Sequence, residues 1–331
     1  MRKNQDGEIL TENASCNGRN FFDLVRQTSE NSLLCVGLDS AFKKLPASIL
    51  VRAREYIERH TEVCSAHEKE QGIVEQAIFL FNCEIIRAVA PFAGAFKLNL
   101  GFYGRYGDAG NSALKKTIAF IKEYYPHMPI ILDGKRADID NSNEEYAAEQ
   151  FEEFDGDAAT TNPYFGGLTM DPFFKNANKG IIVLDRTSNK GSEEFQDLLV
   201  LPPGETDITK CMPLYLYVAI RFCNEWNTRG NCALVVGATY LEQLKAVREA
   251  VGNMLLLIPG VGKQGGDLEK TVRYGLNTEN AGMLINASRS IIFASTGDDF
   301  AQSAAAEAER MNNEINAYRI QFSQKAVVDS I

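Results

Sequence analysis

Long apolar runs are missing from this 331-residue sequence. Its apolar runs, such as Met254–Ile258 and Gly180–Leu184, are far shorter than the roughly 20 residues that a transmembrane helix needs. The first 18 residues contain no apolar segment of the kind that secretory signal peptides carry. We therefore expect a cytoplasmic protein with no membrane partner.

Residues that bind metals or act as nucleophiles are few and scattered. None of the seven cysteines forms a Cys-x-x-Cys motif or a Cys/His pair at ligand spacing, and Cys35, Cys83 and Cys232 lie within apolar runs that favour core positions. The three histidines lie away from the predicted strand ends, and the sequence has neither an HExxH motif nor a Ser-His-Asp arrangement. No metal is expected, although Asp133 and Asp138 could in principle bind Mg²⁺.

Positive charge is also in short supply. The sequence has 34 lysines and arginines against 44 aspartates and glutamates, which gives a net charge of −10. Such a chain is a poor candidate for binding nucleic acid or anionic membranes. Any anionic ligand must be bound by a local group of basic residues acting against the overall charge.

Eight short apolar runs alternate with amphipathic helical segments, and each run is apolar on both faces. Strands covered on both faces are typical of a parallel sheet, and eight strand–helix units are the number that closes a barrel. No GxGxxG motif follows the first run, which argues against the dinucleotide-binding form of the competing open sheet. The predicted fold is a single α/β (β/α)8 TIM barrel. Its strands are expected at Leu33–Asp39, Ala93–Asn99, Pro129–Lys135, Asp157–Asn162, Gly180–Arg186, Cys232–Gly237, Met254–Gly260 and Gly282–Ala287.

Two connections are longer than a strand–helix unit needs and predict insertions after strands 1 and 5. Ser40–Gly72 contains a charged segment that predicts one helix over Leu50–Glu70, and Thr187–Asn231 contains an aromatic helix. Neither has enough apolar residues for a core of its own, so we expect one domain over residues 19–331 after a flexible extension over residues 1–18. Further helices are predicted at Val74–Ala90, Ser112–Tyr125, Ser142–Phe154, Tyr240–Val251 and Asp299–Phe322.

Polar residues at the strand ends should converge, because active sites of such barrels lie at the C-terminal ends of the strands. Asp133 and Lys135 are two residues apart in the third strand and should share a face, with Lys97 and Asp138 at the same mouth and Arg136 pointing away. Nearby carboxylates would keep both lysines protonated, and a lysine held in this way could protonate a developing carbanion. The alternative is a structural salt-bridge network.

The loops after the seventh and eighth strands have features of an anion site. Residues 257–267, LIPGVGKQGGD, place glycines where backbone N–H groups could approach an anion at a helix N-terminus. Arg289, in the segment INASRS at 285–290, could bind phosphate oxygens in a bidentate manner. Phosphate sites in barrels frequently lie between these two loops, so together they predict phosphate binding.

These motifs resemble the orotidine 5′-monophosphate decarboxylase family. DGKRADI at 133–139 is similar to that family's Asp-x-Lys-x-x-Asp-Ile signature. The resemblance extends over residues 20–320, and the long insertions are most similar to the larger bacterial and protozoan-type branch. The other segments that carry it are VGLD at 36–39, FKLN at 96–99, TTNPYFG at 160–166, RTSNKGS at 186–192, PGVGKQGG at 259–266 and NASRSI at 286–291.

The resemblance implies a homodimer with its sites at the subunit interface, no cofactor, and conversion of orotidine 5′-monophosphate to uridine 5′-monophosphate and carbon dioxide. It implies that Lys135 donates a proton to C6 of the pyrimidine, that Asp133 lies beside the leaving carboxylate, and that Lys97 contacts the ribose and the aspartates. Asp138 would enter the neighbouring subunit's site, shared across the interface with Ser142, which stands where the family commonly has threonine.

The resemblance also implies a set of substrate ligands at other strand ends. Arg186 and the segment after Ser192 differ from the corresponding parts of the family's smaller enzymes. The resemblance therefore assigns no lid contacts to the phosphate there. The ligands are Asp39 for a ribose hydroxyl with Asn99 beside it, Ser188 for the pyrimidine amide, and Gln264 and Arg289 for the phosphate, with Gly260 and Gly262 shaping their loop.

Two alternatives from other functional classes stay open. A metal-dependent sugar-phosphate decarboxylase or aldolase on a similar barrel would share the Asp-x-Lys-x-x-Asp spacing, although TSNKGS and PGVGKQGG argue against it. A non-catalytic nucleotide-binding protein would be expected to have lost at least one of the four charged residues at the barrel mouth. All four are present: Lys97, Asp133, Lys135 and Asp138.

Overall fold

A computed structural model describes residues 18–60, 65–261 and 266–328 of the chain. Its central feature is a closed barrel of eight parallel strands, each hydrogen-bonded to the next along the chain, with the eighth returning to the first. This confirms the predicted (β/α)8 fold. The strands are β1 (Leu34–Gly37), β2 (Ala95–Asn99), β3 (Ile130–Arg136), β4 (Ala158–Thr161), β5 (Gly180–Arg186), β6 (Cys232–Val236), β7 (Leu256–Pro259) and β8 (Met283–Ala287).

The strands are buried on both faces because one face fills the barrel and the other packs under the helices. Cys35, Ala95 and Ile131 belong to the interior cluster. Their chain neighbours Val36 and Phe96 belong to the larger cluster between the barrel and the helices. Since both layers are apolar, the strands have no polar face, and this is the pattern that identified them in the sequence.

Helices follow the strands and cover the outside of the barrel. Within the described ranges, none is both long enough and apolar enough to cross a membrane. The α-helices are Phe21–Ser29, Ala47–His60, Ala66–Val89, Leu100–Gly104, Gly107–Tyr124, Asp140–Ala148, Asp171–Phe174, Glu193–Gln196, Leu214–Arg221, Leu241–Val251, Leu268–Gly275, Arg289–Ile292 and Phe300–Val328. Single π-turns extend two of them over Glu149–Glu153 and Phe222–Trp226, and short 3-10 turns lie at Phe42–Lys44, Ala90–Phe92, Pro163–Phe165, Leu168–Met170 and Ile208–Lys210.

The prediction of one helix over Leu50–Glu70 is wrong. One helix ends at His60 and the next begins at Ala66. The Ser65 hydroxyl accepts a hydrogen bond from the Glu68 amide at 3.2 Å, and the Glu68 carboxylate accepts one from the Ser65 amide at 2.7 Å. This reciprocal capping box starts a new helix inside a segment whose charged composition favours helix throughout.

Both insertions pack against the barrel. Ile49 of the first and Tyr215 and Phe222 of the second belong to the same apolar cluster as the outer faces of the strands. The second insertion also contains a small antiparallel pair, Leu199–Val200 with Met212–Pro213. The predicted extension over residues 1–18 lies, except for its last residue, outside the described residues.

At the N-terminal end of the barrel, apolar packing and one buried cation hold the starts of the strands. Phe21 is fully buried in the interior cluster, and a Cβ on Gly180 would lie 2.2 Å from its ring, so only glycine fits there. Arg248 lies beside the starts of β7 and β8. Its guanidinium donates hydrogen bonds of 2.6 to 3.0 Å to the carbonyls of Gly252, Met254, Gly275 and Gly282.

Candidate active site

Asp133 lies between two lysines at the C-terminal mouth of the barrel. The Lys97 ammonium is 2.6 Å from Asp133 Oδ2, and the Lys135 ammonium is 2.5 Å from Oδ1. Lys97 and Asp133 are buried, whereas the Lys135 side chain is 47% exposed. One lysine is therefore a fixed internal partner of the carboxylate, and the other presents its ammonium toward the open mouth.

Lys135 reaches Asp133 by a local change in the backbone of β3, and regular strand alternation does not account for it. The pairing of β3 with β4 shifts register between Leu132 and Arg136, and Lys135 has a positive φ of 50°. Thr160 of β4 holds this conformation, because its hydroxyl accepts from the Lys135 amide at 3.0 Å and donates to Asp133 Oδ1 at 2.9 Å. The sequence analysis did not identify Thr160, although it lies in the polar strand end TTN.

Arg136 points away from this group, as expected. Its guanidinium makes two hydrogen bonds to the Glu149 carboxylate, at 2.8 and 2.9 Å, and lies over the Tyr146 ring. This ion pair ties the end of β3 to the helix that follows it. Arg136 is therefore a structural residue, and of these two neighbouring cations it is Lys135 that faces the mouth.

The buried charges stabilise one another. Burial alone would lower the pKa of Lys97, but the carboxylates of Asp133 and Asp39 outweigh it and hold that pKa above its usual value. Burial would likewise raise the pKa of Asp133, but the two lysines hold it well below the usual range. Beneath them, burial raises the pKa of the Cys35 thiol to about 12. Lys97 and Asp133 are thus a fixed ion pair over a neutral thiol.

Asp39 and Asn99 lie next to this group, at the ends of β1 and β2. Asp39 follows β1, and its Oδ1 is buried with no hydrogen-bond partner among the described residues. The Asn99 amide is 3.4 Å from Asp133 Oδ2, and its Oδ1 caps the helix Leu100–Gly104 by accepting from the Gly101 amide. The orphaned oxygen of Asp39 is available to accept a hydrogen bond from a ligand.

A buried polar network, which the sequence analysis also missed, supports the backbone on both sides of Asp39. Ser40 donates to Asn82 Oδ1 at 2.5 Å, and the Asn82 amide donates to Tyr103 and Thr117 at 3.1 and 3.0 Å. Tyr103 in turn donates to the Leu38 carbonyl at 2.8 Å. Because Leu38 and Ser40 flank Asp39, the network restricts where the carboxylate can lie.

Asp138 does not join the lysines within one chain, contrary to the expected convergence. Its carboxylate accepts from the Ile139 amide at 2.8 Å, and it forms no ion pair within the described part of the chain. The Asn143 side chain bonds both the amide and the carbonyl of Asp138 and also bonds the Thr169 carbonyl. Ser142 is exposed beside it. One chain therefore supplies a Lys–Asp–Lys group, with Asp138 held outside it by the hydrogen bonds of Asn143.

A cavity of about 230 Å³ lies between the ends of β1, β7 and β8, where the sequence predicts an anion site. Asp39, Gly260, Ser288 and Arg289 are among the residues that line it. Gly260 has a positive φ of 101°, and Arg289 is exposed with no ion pair in the described ranges. The predicted ligands Gly262 and Gln264 lie outside the described residues.

Ser188 lies just after β5, against the end of β6. Its carbonyl accepts from the Thr239 hydroxyl at 3.2 Å. A Cβ on Gly237 would lie 2.7 Å from Ser188, so glycine is required where the two strand ends meet. Ser188 is half-buried at the same end of the barrel as Lys135.

Comparison with known sequences connects this arrangement to one family. A profile of the orotidine 5′-phosphate decarboxylase / HUMPS family matches residues 32–304. The orotidine 5′-phosphate decarboxylase of Cellvibrio japonicus is 40% identical over 291 residues, which cover 88% of this chain and 95% of that protein. The protein of that name from Ralstonia pickettii is 43% identical over 289 residues, which cover 87% and 94%.

Solved structures share the fold. Leishmania donovani OMP decarboxylase matches with a TM-score of 0.71 at 30% identity, covering 91% of this chain and 99% of that one. Leishmania donovani UMP synthase matches with a TM-score of 0.73 at 32% identity, covering 91% of this chain and 56% of that one. The chain belongs to the orotidine 5′-phosphate decarboxylase / HUMPS family.

Proposed function

We propose that this protein is an orotidine 5′-phosphate decarboxylase, which converts orotidine 5′-monophosphate to uridine 5′-monophosphate (UMP) and carbon dioxide in pyrimidine biosynthesis without a cofactor. The observation that carries the proposal is the buried Asp133 carboxylate between two lysines, one of which presents its ammonium at the barrel mouth. The relatives of that name, 40% identical over most of the chain, support the same reaction.

The Lys–Asp–Lys group supplies the chemistry that this reaction needs. Loss of carbon dioxide breaks the bond between C6 and the carboxyl carbon, and the electron pair stays on C6. The Lys135 ammonium stabilises this charge and then gives its proton to C6, and the amine regains a proton from water. Asp133 orients that ammonium and lies beside the leaving carboxylate, where its charge raises the energy of the bound substrate.

Contacts far from C6 hold the nucleotide. Asp39, with Asn99 beside it, accepts from the ribose hydroxyls, and Ser188 bonds the pyrimidine amide. Remote contacts of this kind supply binding energy that is used at the reacting carbon. The phosphate lies in the cavity at the ends of β7 and β8, against Arg289 and Gly260. Gly262 and Gln264 stay predicted phosphate ligands.

We infer that the active enzyme is a homodimer that shares Asp138 and Ser142 across its interface. Asp138 lies outside its own chain's Lys–Asp–Lys group, and Asn143 fixes its backbone by two hydrogen bonds. Large apolar side chains are exposed around this loop: Ile139 is 50% exposed and Leu168 is 92% exposed. A second copy that covered this patch would bury apolar surface and could bring its Asp138 to the neighbouring lysines.

A cytoplasmic location is also part of the proposal. The five cysteines in the described part of the chain are all free thiols, and Cys35, Cys83 and Cys232 are buried. Free thiols of this kind are typical of reducing compartments. Burial raises the pKa of Cys35 and of Cys232 to about 12, which suits inert core residues.

The proposal is tested by the decrease in absorbance that follows decarboxylation of orotidine 5′-monophosphate. The wild type should turn over, and Lys135→Ala should lose activity by several orders of magnitude while it still folds and binds UMP. A matched control is Lys175→Ala, which removes an exposed lysine distant from the mouth. A Lys135→Ala enzyme with near-normal turnover would refute the role of Lys135.

A chelator separates this function from the metal-dependent alternative. An enzyme that relies on Lys135 as its acid should keep full activity after prolonged treatment with a chelator. Loss of activity that returns on addition of Mg²⁺ would favour a metal-dependent sugar-phosphate enzyme on the same barrel. Binding of UMP with no turnover of orotidine 5′-monophosphate would favour the non-catalytic alternative.

A further inference from the structure

A second cavity, of about 640 Å³, opens between the loops that follow β4 and β5 and the helix Leu214–Arg221. It shares no lining residue with the cavity at Arg289, and none of the residues of the Lys–Asp–Lys group lines it. Its walls are mainly apolar and aromatic, and its most buried member is a carboxyl group. The residues that define it are Tyr164, Leu184, Asp185, Phe195, Tyr215 and Val218.

Asp185 has no partner that would explain its burial. The residue is only 4% exposed, and neither carboxyl oxygen has a hydrogen bond of normal geometry among the described residues. The adjacent cation, Arg186, is already occupied: its guanidinium makes two hydrogen bonds of 2.9 Å to the Asp197 carboxylate and a third to Ser192. A buried carboxyl left without a partner is costly, which points to a partner supplied from outside the chain.

The backbone of β5 places Asp185 in this position by a register shift. Leu184 pairs with Val235 and Arg186 pairs with Val236, so Asp185 is an extra residue with no counterpart on β6. Bulges of this kind re-aim side chains and are enriched beside functional sites. The register shift is independent of the missing hydrogen bonds. It is a second observation that the backbone directs the Asp185 side chain to this position.

The chemistry of the cavity favours one class of ligand. Carboxylates surrounded by aromatic rings bind organic cations, since the ring faces and the acid attract the same charge. The net charge of −10 also favours cations over anions around this protein. We propose that the cavity is a second binding site, which takes a small organic cation, an amine joined to an apolar or aromatic body, with its ammonium on Asp185.

Protonation of Asp185 should couple to this binding. Burial raises the pKa of Asp185 well above its usual range, and Arg186 opposes that rise only in part. The other titratable groups near it are Tyr215, whose pKa is raised, first by burial, and Asp197, which is paired with Arg186. An ammonium that binds the ionised carboxylate must therefore displace a proton, and its affinity should rise with pH.

The first test uses benzylamine as the cation and benzyl alcohol as its neutral counterpart, in calorimetry near pH 7. We expect saturable binding of benzylamine to the wild type, at least tenfold weaker binding to Asp185→Asn, and proton release that appears as a dependence of the measured heat on the buffer. Glu194→Gln, which removes an exposed acid from the same loop, should bind as the wild type does.

Three results would overturn the proposal. They are no saturable binding of benzylamine up to about 50 mM, a concentration beyond the range of ordinary ligand sites, equal binding by Asp185→Asn, and equally strong Asp185-dependent binding of benzyl alcohol. None of these measurements needs decarboxylase activity, so a failure here is distinct from a failure of the proposed reaction.

A second measurement, which needs no ligand, tests whether Asp185 is buried as an acid in the folded protein. A carboxyl whose folded-state pKa is raised stabilises the protein below its unfolded-state value, about 3.9, and loses that contribution as pH rises toward the folded-state value. Relative to Asp185→Asn, the unfolding equilibrium constant of the wild type should therefore rise by up to about tenfold per pH unit above pH 4. A pH-independent ratio would show that Asp185 is not buried as an acid.

Discussion

Lys135 can act as an acid toward a ligand only if its ammonium points into the barrel mouth. Two neighbouring side chains fix this orientation. Asp133 accepts from its ammonium, and Thr160 holds its strained backbone. The left-handed φ of Lys135 is uncommon for a residue with a side chain, and strain of this kind concentrates at functional sites. At the proposed phosphate site, likewise, a single side chain, Arg289, supplies the positive charge among the described lining residues.

Arg289→Ala should mainly weaken binding of the phosphorylated nucleotide. Loss of hydrogen bonds between a guanidinium and a phosphate should cost about 2 kcal/mol, or about thirtyfold in the Kd for UMP measured by calorimetry. Binding of uridine, which lacks the phosphate, should not change. Arg273→Ala, which removes an exposed arginine outside the cavity, is the charge-matched control. An unchanged Kd for UMP would show that Arg289 is not a phosphate ligand.

At the scale of elements, buried hydrogen bonds hold the ends of the barrel strands in place. The network through Asn82 connects the end of β1 to the helices Ala66–Val89, Leu100–Gly104 and Gly107–Tyr124. At the opposite end of the barrel, Arg248 connects its helix to the sheet, since it donates hydrogen bonds to the carbonyls at the starts of β7 and β8. Both are buried polar groups whose hydrogen bonds are satisfied, which is the condition under which such groups add order to a core.

Asn82→Leu should raise the KM for orotidine 5′-monophosphate more than it lowers kcat, because Asp39 would lose its fixed position while Lys135 would not. It should also destabilise the fold by about 1–3 kcal/mol, since Ser40 and Tyr103 lose a partner. Thr117→Val removes a network member that does not contact the residues beside Asp39, so it should lower stability and leave KM unchanged. Equal effects of both variants on KM would mean that the network has only a structural role.

Arg248→Met should destabilise the protein by at least about 3 kcal/mol in urea unfolding, because several buried carbonyls would lose a charged donor. The control is Arg310→Met. Arg310 is an exposed arginine whose partners, Glu307 and Glu314, lie on the same helix, and such surface pairs contribute less than about 1 kcal/mol. Similar losses for the two variants would show that the buried hydrogen bonds of Arg248 contribute little.

At the scale of the whole molecule, one chain contains an incomplete version of the proposed site. The Lys–Asp–Lys group is assembled, whereas Asp138 lies in a loop beside exposed Ile139 and Leu168. The proposed dimer would cover the apolar patch and complete the charge array in one step. Assembly and activity would then be inseparable, because each subunit would depend on its neighbour for a carboxylate.

Mixing two inactive variants tests this dependence. Lys135→Ala and Asp138→Ala, unfolded and refolded together, should form heterodimers in which one of the two sites carries both defects and the other carries none. With random pairing, about a quarter of the wild-type activity should return. Lys135→Ala mixed with Asp133→Ala is the control. It should stay inactive because Lys135 and Asp133 of a given site come from the same chain, so every site lacks one of them. No recovery in the first mixture would contradict a shared site.

The sequence by itself determined the barrel and the principal charged residues, because apolar strands with polar C-terminal ends allow few other arrangements. It also placed Arg289 and Gly260 on neighbouring loops, and they line one cavity. Only the tertiary structure decided how Lys135 reaches Asp133 and that Asp138 lies apart from them, because a register shift and a hydrogen-bonded loop depend on contacts distant in sequence. For the same reason, no local pattern pointed to Asn82, and a polar strand end alone did not single out Thr160 or Asp185, whose roles come from the strands and helices packed around them.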